Sequence, residues 1–327
     1  MKNLEGKKIL FICPLFHNYE KMIKDKLEKK GAEVVFFAER PYSLAFSMVN
    51  NFFKKKMPFY QKLHYAKITR ETKEHSFDYL FVIRGYMLPV DFLKSFKKRN
   101  PVAKTIMYQW DSQRTNYFRH LIPYFDRVTT FDFEDSAQLG LDYIPLFYTD
   151  DVEPYRMTTS SFEQDFFFMG FFFEERYQAV LKFSKFCADN GFSLKPFLFM
   201  PFSTRVKYFF LNKKIDIRIV SSKHMDRETY LDILSKSRIM VDVSNPRQTG
   251  LAMRVIESLA CNTKVITNNI HFKKDRKVLE SGMVEFFNLD NINISRAFIS
   301  KNTTTEKNIV LSIDQWISLI FESSNEA

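Results

Sequence analysis

A chain of 327 residues with 37 Phe, 15 Tyr, only 8 Gly and a formal net charge of +11 is long enough for two domains, and its 45% hydrophobic content excludes a disordered tail. The glycines stand too far apart to write a G-x-G-x-x-G or a P-loop, no two aspartates are separated by a single residue, and the histidines form no H-E-x-x-H. Dinucleotide enzymes with that fingerprint, Walker ATPases, kinases, D-x-D cation sites and zinc centres are thereby excluded.

The three dispersed cysteines, Cys13, Cys187 and Cys261, exclude a disulfide framework and fit a reducing compartment. The first apolar run, 9–16, is too short to span a bilayer and no small-residue cleavage site follows it. A cytoplasmic protein is expected. Within the run, 9–13 reads as a buried strand, and a helix over 19–30 ends at Gly31. A second strand falls at 34–37. The stretch 44–60 then places Leu44, Met48, Phe52 and Met57 near helical spacing beside Lys54, Lys55 and Lys56. That pattern describes either an amphipathic helix packed on its own domain or a helix on an anionic membrane surface. Strands at 79–83, 105–108 and 128–131 follow, with helical segments between several of them. Short strands separated by helices describe βαβ units and a parallel sheet.

The rhythm breaks at 148–164, a polar stretch without period that reads as a linker. A second series begins with a strand at 165–169 and a helix over 175–190 that ends at Gly191. Strands at 195–199 and 217–220, a helix over 226–237, a strand at 239–243, a helix over 251–259 and a strand at 264–267 continue it. A terminal helix over 309–321 closes the chain, with Ser312 or the region of Asn308 as its cap. The expected division is one Rossmann-like domain over 1–150, a second over 163–304, and a terminal segment, 305–327.

Ligands of open α/β sheets bind at the carboxyl ends of the strands. In the first domain those ends carry His17, Arg84, Trp110, Asp111 and Asp132. Each has a plainer reading: a loop histidine is commonly just solvated, and an aspartate after a strand commonly caps the next helix, as Asp111 would if a helix began at Ser112.

The second domain holds the strongest local signal, SNPRQTGLAMRVIESLACN over residues 244–262. It reads as a polar loop, a helix starting near Gly250 and a tight turn, set between two strands. The free N–H groups at that helix start suit a phosphate. Arg254, one turn inside, is placed to reach a diphosphate, and Glu257 at i+3 to accept two ribose hydroxyls. The alternative is a surface Arg254–Glu257 pair on an ordinary amphipathic helix.

This segment resembles the nucleotide-sugar motif of GT-B glycosyltransferases, with Gly250 before a helix, Glu257 within it, the apolar-small run 258–261 after it, and a strand at 264–267. Gly170 followed by Arg176 resembles the family's donor-side loop, and the length and layout are similar to small bacterial enzymes of lipopolysaccharide-core and capsule assembly. The resemblance implies an α/β fold of two Rossmann-like domains facing across a cleft, with a terminal helix crossing back to the first. It implies a glycosyltransferase moving a sugar from a nucleotide-sugar donor to a saccharide or lipid-linked acceptor, without metal or cofactor. The donor is expected at Gly170, Arg176, Arg247, Thr249, Gly250, Arg254 and Glu257. The acceptor is expected beside Arg84, Trp110 and Asp132, with Asp111 as first choice of base and His17 as second. The sequence departs from the pattern at position 249, where many retaining members carry Glu and this chain carries Thr, so no stereochemistry is assigned.

Charge is the last signal. The first 104 residues hold 22 Lys/Arg against 10 Asp/Glu, and the remainder 27 against 28. This points to an anionic partner met by the first domain, either a phosphorylated glycolipid or an anionic membrane surface touched through 44–60. Nucleic acid is not expected as a partner of the enzyme, because no RNP-like strand or recognition helix accompanies the charge. The rival reading is a non-catalytic two-lobed binder of nucleotides or polyanions that docks on membrane or nucleic acid through the basic N-terminal third.

Overall fold

The computed structural model describes residues 4–43, 46, 48–49, 53–156, 162–301 and 309–322, with only the backbone of Lys54. The chain forms two compact units. Unit 1 comprises Met1–Pro145 and Ile313–Ala327, and unit 2 comprises Leu146–Ser312.

Unit 1 runs β1 (Lys8–Cys13), α1 (Tyr19–Lys29), β2 (Glu33–Ala38), α2 (Met57–Glu71), β3 (Tyr79–Ile83), α3 (Val90–Arg99), β4 (Lys104–Gln109), β5 (Arg127–Thr130), α4 (Phe133–Leu139) and β6 (Asp142–Tyr143). The strands are all parallel, in the order β2-β1-β3-β4-β5-β6. β1 and β3 are apolar and buried almost throughout, as central strands covered on both faces must be. Phe11 and Phe81 stack between them with ring centroids 5.2 Å apart. α1 turns Tyr19, Ile23 and Leu27 inward at helical spacing. The chain leaves it through Gly31, whose φ of +88 and close approach to Glu5 admit no side chain.

The terminal helix of unit 1, Ile313–Phe321, starts four residues later than expected, because Leu311–Ser312 form a strand instead. Trp316 packs fully buried against Tyr108 at 5.0 Å and Phe81 at 6.1 Å. Asp314 pairs with Lys26 at 2.7 Å and Lys30 at 2.8 Å. Arg127 closes the C-terminal end, donating to the carbonyls of Leu319 at 2.7 Å, Ile320 at 3.1 Å and Glu322. Those carbonyls lack intrahelical partners, and a cation suits them. Ser312 lies in the short strand, and Asn308 lies outside the described residues.

In the stretch 44–60, Leu44 and Phe52 also lie outside the described residues. Phe46, Val49 and Met57 are buried in a small cluster against Tyr60 and Tyr86, while Met48 and Phe53 are exposed. One face thus packs on its own unit.

Unit 2 runs β7 (Phe147–Tyr148), β8 (Gln164–Phe171), α5 (Glu174–Asn190), β9 (Leu194–Phe199), α6 (Phe202–Phe210), β10 (Val220–Ser221), α7 (Arg227–Ser235), β11 (Ser237–Asp242), α8 (Met253–Ala260), β12 (Lys264–Thr267), α9 (Arg276–Glu280), β13 (Val284–Phe286), α10 (Arg296–Ser300) and β14 (Leu311–Ser312). Its main sheet is parallel in the order β10-β9-β8-β11-β12-β13, and β14 pairs with β7. The polar stretch expected as a linker is partly structured. Asp150–Tyr155 is a 3-10 helix with Val152 buried, and residues 157–161 lie outside the described ones. The strand expected at 217–220 is reduced to Val220–Ser221, and the helix α6 had no counterpart in the sequence reading.

Counting charge by unit changes its meaning. Unit 1 holds 25 Lys/Arg against 19 Asp/Glu, and unit 2 holds 24 against 19. The acidic residues of 105–145 and of the terminal helix belong to the same unit as the basic first third, so the excess is shared almost evenly. Total charge therefore does not single out one unit for an anionic partner. Among the described residues no helix is long and apolar enough to cross a membrane.

Candidate functional site

Each main sheet has one place where the chain reverses direction across it. The reversal lies between β1 and β3 in unit 1 and between β8 and β11 in unit 2. Loops splay apart at such points and leave a crevice at the strand ends.

In unit 2 the crevice is a pocket of about 330 Å³ lined by Phe173, Arg176, Ser244, Gln248, Asn268 and His271, among others. Its back wall is cationic. Arg176, on the first turn of α5, is buried, and its guanidinium donates to the carbonyls of Phe171 at 3.0 Å and Val243 at 3.2 Å. Arg254, at the second position of α8, donates to that same Val243 carbonyl at 3.0 Å and to Asp242 at 2.5 Å. Asp242 is buried at the end of β11 and also accepts from Thr267 at 2.7 Å. The two guanidiniums therefore share the Val243 carbonyl, Asp242 pairs with Arg254, and the buried Nε–H groups of both have no hydrogen-bond partner. Burial and the neighbouring Arg254 pull the Arg176 pKa down to about 9, against the pull of Asp242. Glu175 also lines the pocket, and Asp242 stands behind it with Arg254.

Gly170 explains how Arg176 reaches this place. A Cβ at Gly170 would stand 3.2 Å from Nη1 and 3.4 Å from Cδ of Arg176, so the glycine makes room for the arginine. The guanidinium also lies over the Phe173 ring, 4.2 Å from its centroid. The opposite wall is built by two asparagines after β12. Asn268 Oδ1 accepts from the Ser244 N–H at 2.9 Å and its hydroxyl at 3.1 Å. Asn269 donates to the Thr249 carbonyl at 3.0 Å and accepts from His271 N–H at 3.1 Å.

The expected donor residues separate into groups. Arg176 lines the pocket, Gly170 and Arg254 stand behind it, and Arg247 is exposed on the loop between two lining residues. Thr249 and Gly250 are buried, and α8 begins at Met253 after Ala252 rather than at Gly250. Glu257 does not line the pocket. Its buried carboxylate accepts from Arg227 Nη1 at 2.8 Å, and Arg227 also holds Asp151 and the Thr149 hydroxyl. The surface Arg254–Glu257 pair is likewise not formed, because each residue is taken by a different element. The sequence reading missed Ser244, Asn268, Asn269 and His271. Its one usable signal was the pair of asparagines directly after a buried strand.

In unit 1 the loops after β1 and β3 hold His17, Asn18, Arg84 and Met87 in the left-handed region, which non-glycine residues adopt at a cost of about 1–3 kcal/mol each. The Arg84 backbone is pinned there by Gln109 at 2.9 Å and Asn116 at 3.0 Å, both donating to its carbonyl. Its side chain bridges Glu39, which is wholly buried, and Asp111 at 3.4 Å. Glu39 accepts in addition from the Tyr86 N–H at 3.1 Å. Glu39, a strand-end residue to which the sequence reading gave no role, is thus the main counter-ion of Arg84, and Asp111 the looser one. Burial raises the pKa of Asp111 and the Arg84 charge opposes that rise. Asp111 caps no helix, since the residues after it form a turn in which Ser112 makes the capping contacts.

Asp132 takes the plainer role that was open to it. It is wholly buried and caps α4, accepting from Glu134 N–H at 3.0 Å and Asp135 N–H at 3.1 Å. His17 is exposed. Phe16 links it to Trp110, with ring centroids 4.4 Å from His17 and 6.1 Å from Trp110. His17, Arg84, Trp110 and Asp111 are gathered at the ends of β1, β3 and β4, without Asp132. Among the described residues no three His, Cys, Asp or Glu side chains form a candidate metal site.

No protein-family model matches the chain, and no curated protein matches it in sequence. Solved structures do match. AviGT4, a glycosyltransferase involved in avilamycin A biosynthesis, is 14% identical with a TM-score of 0.56, over 97% of this chain and 99% of that one. The N-terminal domain of Candida albicans trehalose-6-phosphate phosphatase is 12% identical with a TM-score of 0.52, over 87% of each chain. S. aureus MnaA, in its structure with UDP, is 11% identical with a TM-score of 0.51, over 85% of this chain and 83% of that one. Their names differ in activity, and a shared architecture does not choose among activities. What the likeness shows, together with two parallel α/β sheets in separate units, is that this chain has the GT-B fold.

Proposed function

We propose that the chain is a glycosyltransferase that moves a sugar from a nucleotide-sugar donor, held by unit 2, to a saccharide or lipid-linked saccharide held by unit 1. The observation that carries the reading is the pair of guanidiniums, Arg176 and Arg254, which converge on the Val243 carbonyl beside the Asp242 carboxylate, with Arg176 lining an open pocket. A nucleoside diphosphate in the pocket would place its negative charge beside these guanidiniums. The glycosyltransferase AviGT4 and the UDP-bound MnaA share the fold, which supports a nucleotide in this pocket.

Asp111 removes the proton from the acceptor hydroxyl, whose oxygen attacks the anomeric carbon as the bond from that carbon to the diphosphate breaks. The charge that develops on the departing diphosphate is met by Arg176 and Arg254 in a buried setting, where each is worth more than in water. Two fixed cations supply there what a divalent ion supplies in other transferases, so the reaction we propose needs no metal. Asn268 and Gln248 line the pocket as candidate partners for the nucleoside. The acceptor we propose belongs to lipopolysaccharide-core or capsule assembly. Exposed Phe53, Phe59 and Leu63 beside Lys55 and Lys56 support its lipid-linked form.

The test is a thermal-shift screen of UDP-, GDP-, dTDP- and CMP-sugars, followed by assay for released nucleotide on long incubation. One donor class should raise the Tm and be slowly hydrolysed. No response to any of them, together with salt-sensitive binding of single-stranded RNA, would overturn the reading.

A further inference from the structure

The three most exposed phenylalanines among the described residues of unit 2 lie on one helix. No residue of α6 is buried, and Phe202, Phe209 and Phe210 are 72%, 79% and 80% exposed. At about 100° per residue, Phe202, Val206, Phe209 and Phe210 fall within one stripe roughly 100° wide. Arg205 lies on one border of that stripe and Lys207 on the other. Tyr208 is on the far side, and it ties the helix down by donating to Glu174 at 2.6 Å and packing edge-on against Phe172 at 5.2 Å. Leu211 continues the exposed apolar surface beyond the helix, and Lys213 and Lys214 follow. Residues 201–214 contain four cations and no carboxylate. Lys213 is paired with Glu174 at 3.0 Å, which leaves Arg205, Lys207 and Lys214 for the surface.

A helix anchored by its polar back, with aromatics facing solvent and cations at the borders of the aromatic stripe, has the build of an interfacial membrane helix. Large phenylalanine surfaces left in water are unfavourable and call for a covering partner. We propose that α6 docks unit 2 on an anionic bilayer, its phenylalanines in the headgroup–acyl boundary and Arg205, Lys207 and Lys214 on lipid phosphates. The charge decides for lipid over a second copy of the chain. A second copy would bring the same cations against themselves within a unit already rich in Lys and Arg, whereas anionic headgroups attract each such cation by about 1 kcal/mol. The proposal does not rest on glycosyl transfer and goes beyond it.

The experiment is co-sedimentation of the full chain with sucrose-loaded vesicles of phosphatidylcholine alone or mixed with phosphatidylglycerol, at low and high salt. The expected result is binding to the anionic vesicles only, weakened by salt. Phe209→Ser/Phe210→Ser and Lys207→Glu/Lys214→Glu should each lower the partition coefficient by more than about tenfold. Neither should change the Tm by much, because Phe209 and Phe210 are largely exposed and meet each other edge-on at 5.8 Å, and Lys207 is exposed. A Phe209→Trp variant should shift its emission to the blue on adding anionic vesicles. Absence of vesicle binding by the native chain overturns the proposal. So does binding untouched by the α6 variants but lost in Phe59→Ser of unit 1, and so does a change of oligomeric state in place of vesicle binding. The nucleotide response of the α6 variants should stay native, so failure here is distinguishable from failure of the donor site.

Discussion

Replacing Arg176 by Met separates a ligand-binding arginine from a structural one. The native guanidinium is buried, and burial together with Arg254 pulls its pKa from 12.5 to about 9, a penalty on the charged state of about 5 kcal/mol. Its two hydrogen bonds, to the carbonyls of Phe171 and Val243, return about 1–1.5 kcal/mol each. Met fills a similar length without charge and makes a favourable contact with the Phe173 ring. Apo Arg176→Met should therefore be as stable as the native chain or more so, with each kcal/mol gained raising the Tm by about 2–4 °C. The penalty is fully present below pH 9 and fades as pH rises through that value toward 12.5, so any Tm advantage of the variant should shrink in alkaline buffer. Binding should move the other way. A charge-assisted hydrogen bond to a diphosphate is worth about 1.5–3 kcal/mol, which predicts a Kd weaker by roughly 10- to 150-fold. Calorimetric titration with pyrophosphate and with UDP, beside scanning calorimetry of the apo forms, measures both quantities. A large fall in Tm with native pyrophosphate affinity would make Arg176 a strut between β8 and β11 and refute the diphosphate argument.

Asp111→Asn should lower transfer by about 10²- to 10⁴-fold and leave the pyrophosphate titration native. In the native chain kcat/KM should fall as pH drops through a value above the ordinary 3.8 of an aspartate, because burial raises this carboxyl. Arg84 opposes that rise, so Arg84→Gln should move the acid limb to higher pH, and an unmoved limb would uncouple the two residues. Glu257→Gln should cost stability by weakening a charge-assisted hydrogen bond with Arg227, by about 1.5–3 kcal/mol because Arg227 keeps Asp151, and should leave the pyrophosphate affinity unchanged. Weaker binding of UDP with native binding of pyrophosphate would instead give Glu257 the ribose role. Trp316→Ala should destabilise unit 1 by about 3–5 kcal/mol, read as a lower urea midpoint followed by Trp110 fluorescence. A change below about 1 kcal/mol would mean that the terminal helix is only loosely held.

The strands of both sheets were legible because their residues are buried on both faces. Runs such as 9–13 and 79–83 can be little else, and their order along the chain with helices between them leaves a parallel sheet as the economical solution. The strand-end reading then found His17, Arg84, Trp110 and Asp111, since a parallel sheet places every strand end on one edge. Partners were not legible. Glu39 follows an unremarkable strand, and nothing local marks it as the carboxylate that holds Arg84 45 residues later. The same limit applies on α8. Helical spacing puts Arg254 and Glu257 on one face, yet one reaches forward to β11 and the other to Arg227 on α7. Periodicity tells which face turns inward, and the neighbouring elements decide what each charge meets there.

Segment charge failed for a related reason. A count along the chain assumes that neighbours in sequence share a surface. The terminal helix belongs to unit 1 although it ends the chain, and it brings Asp314 to Lys26 and Lys30 across nearly the whole sequence. Two of the cations that made the first third look like a docking surface are thereby engaged internally. Meanwhile α6, in a segment whose overall balance is unremarkable, presents cations and phenylalanines together and unpaired with carboxylates. Attraction for an anionic partner depends on cations that are near one another, exposed and left without internal counter-ions. By that measure, among the described residues, Lys55 and Lys56 of unit 1 and the cations of the α6 stripe in unit 2 qualify, the latter matched to a lipid surface. The arginine pair of unit 2 is the separate case, matched to a diphosphate.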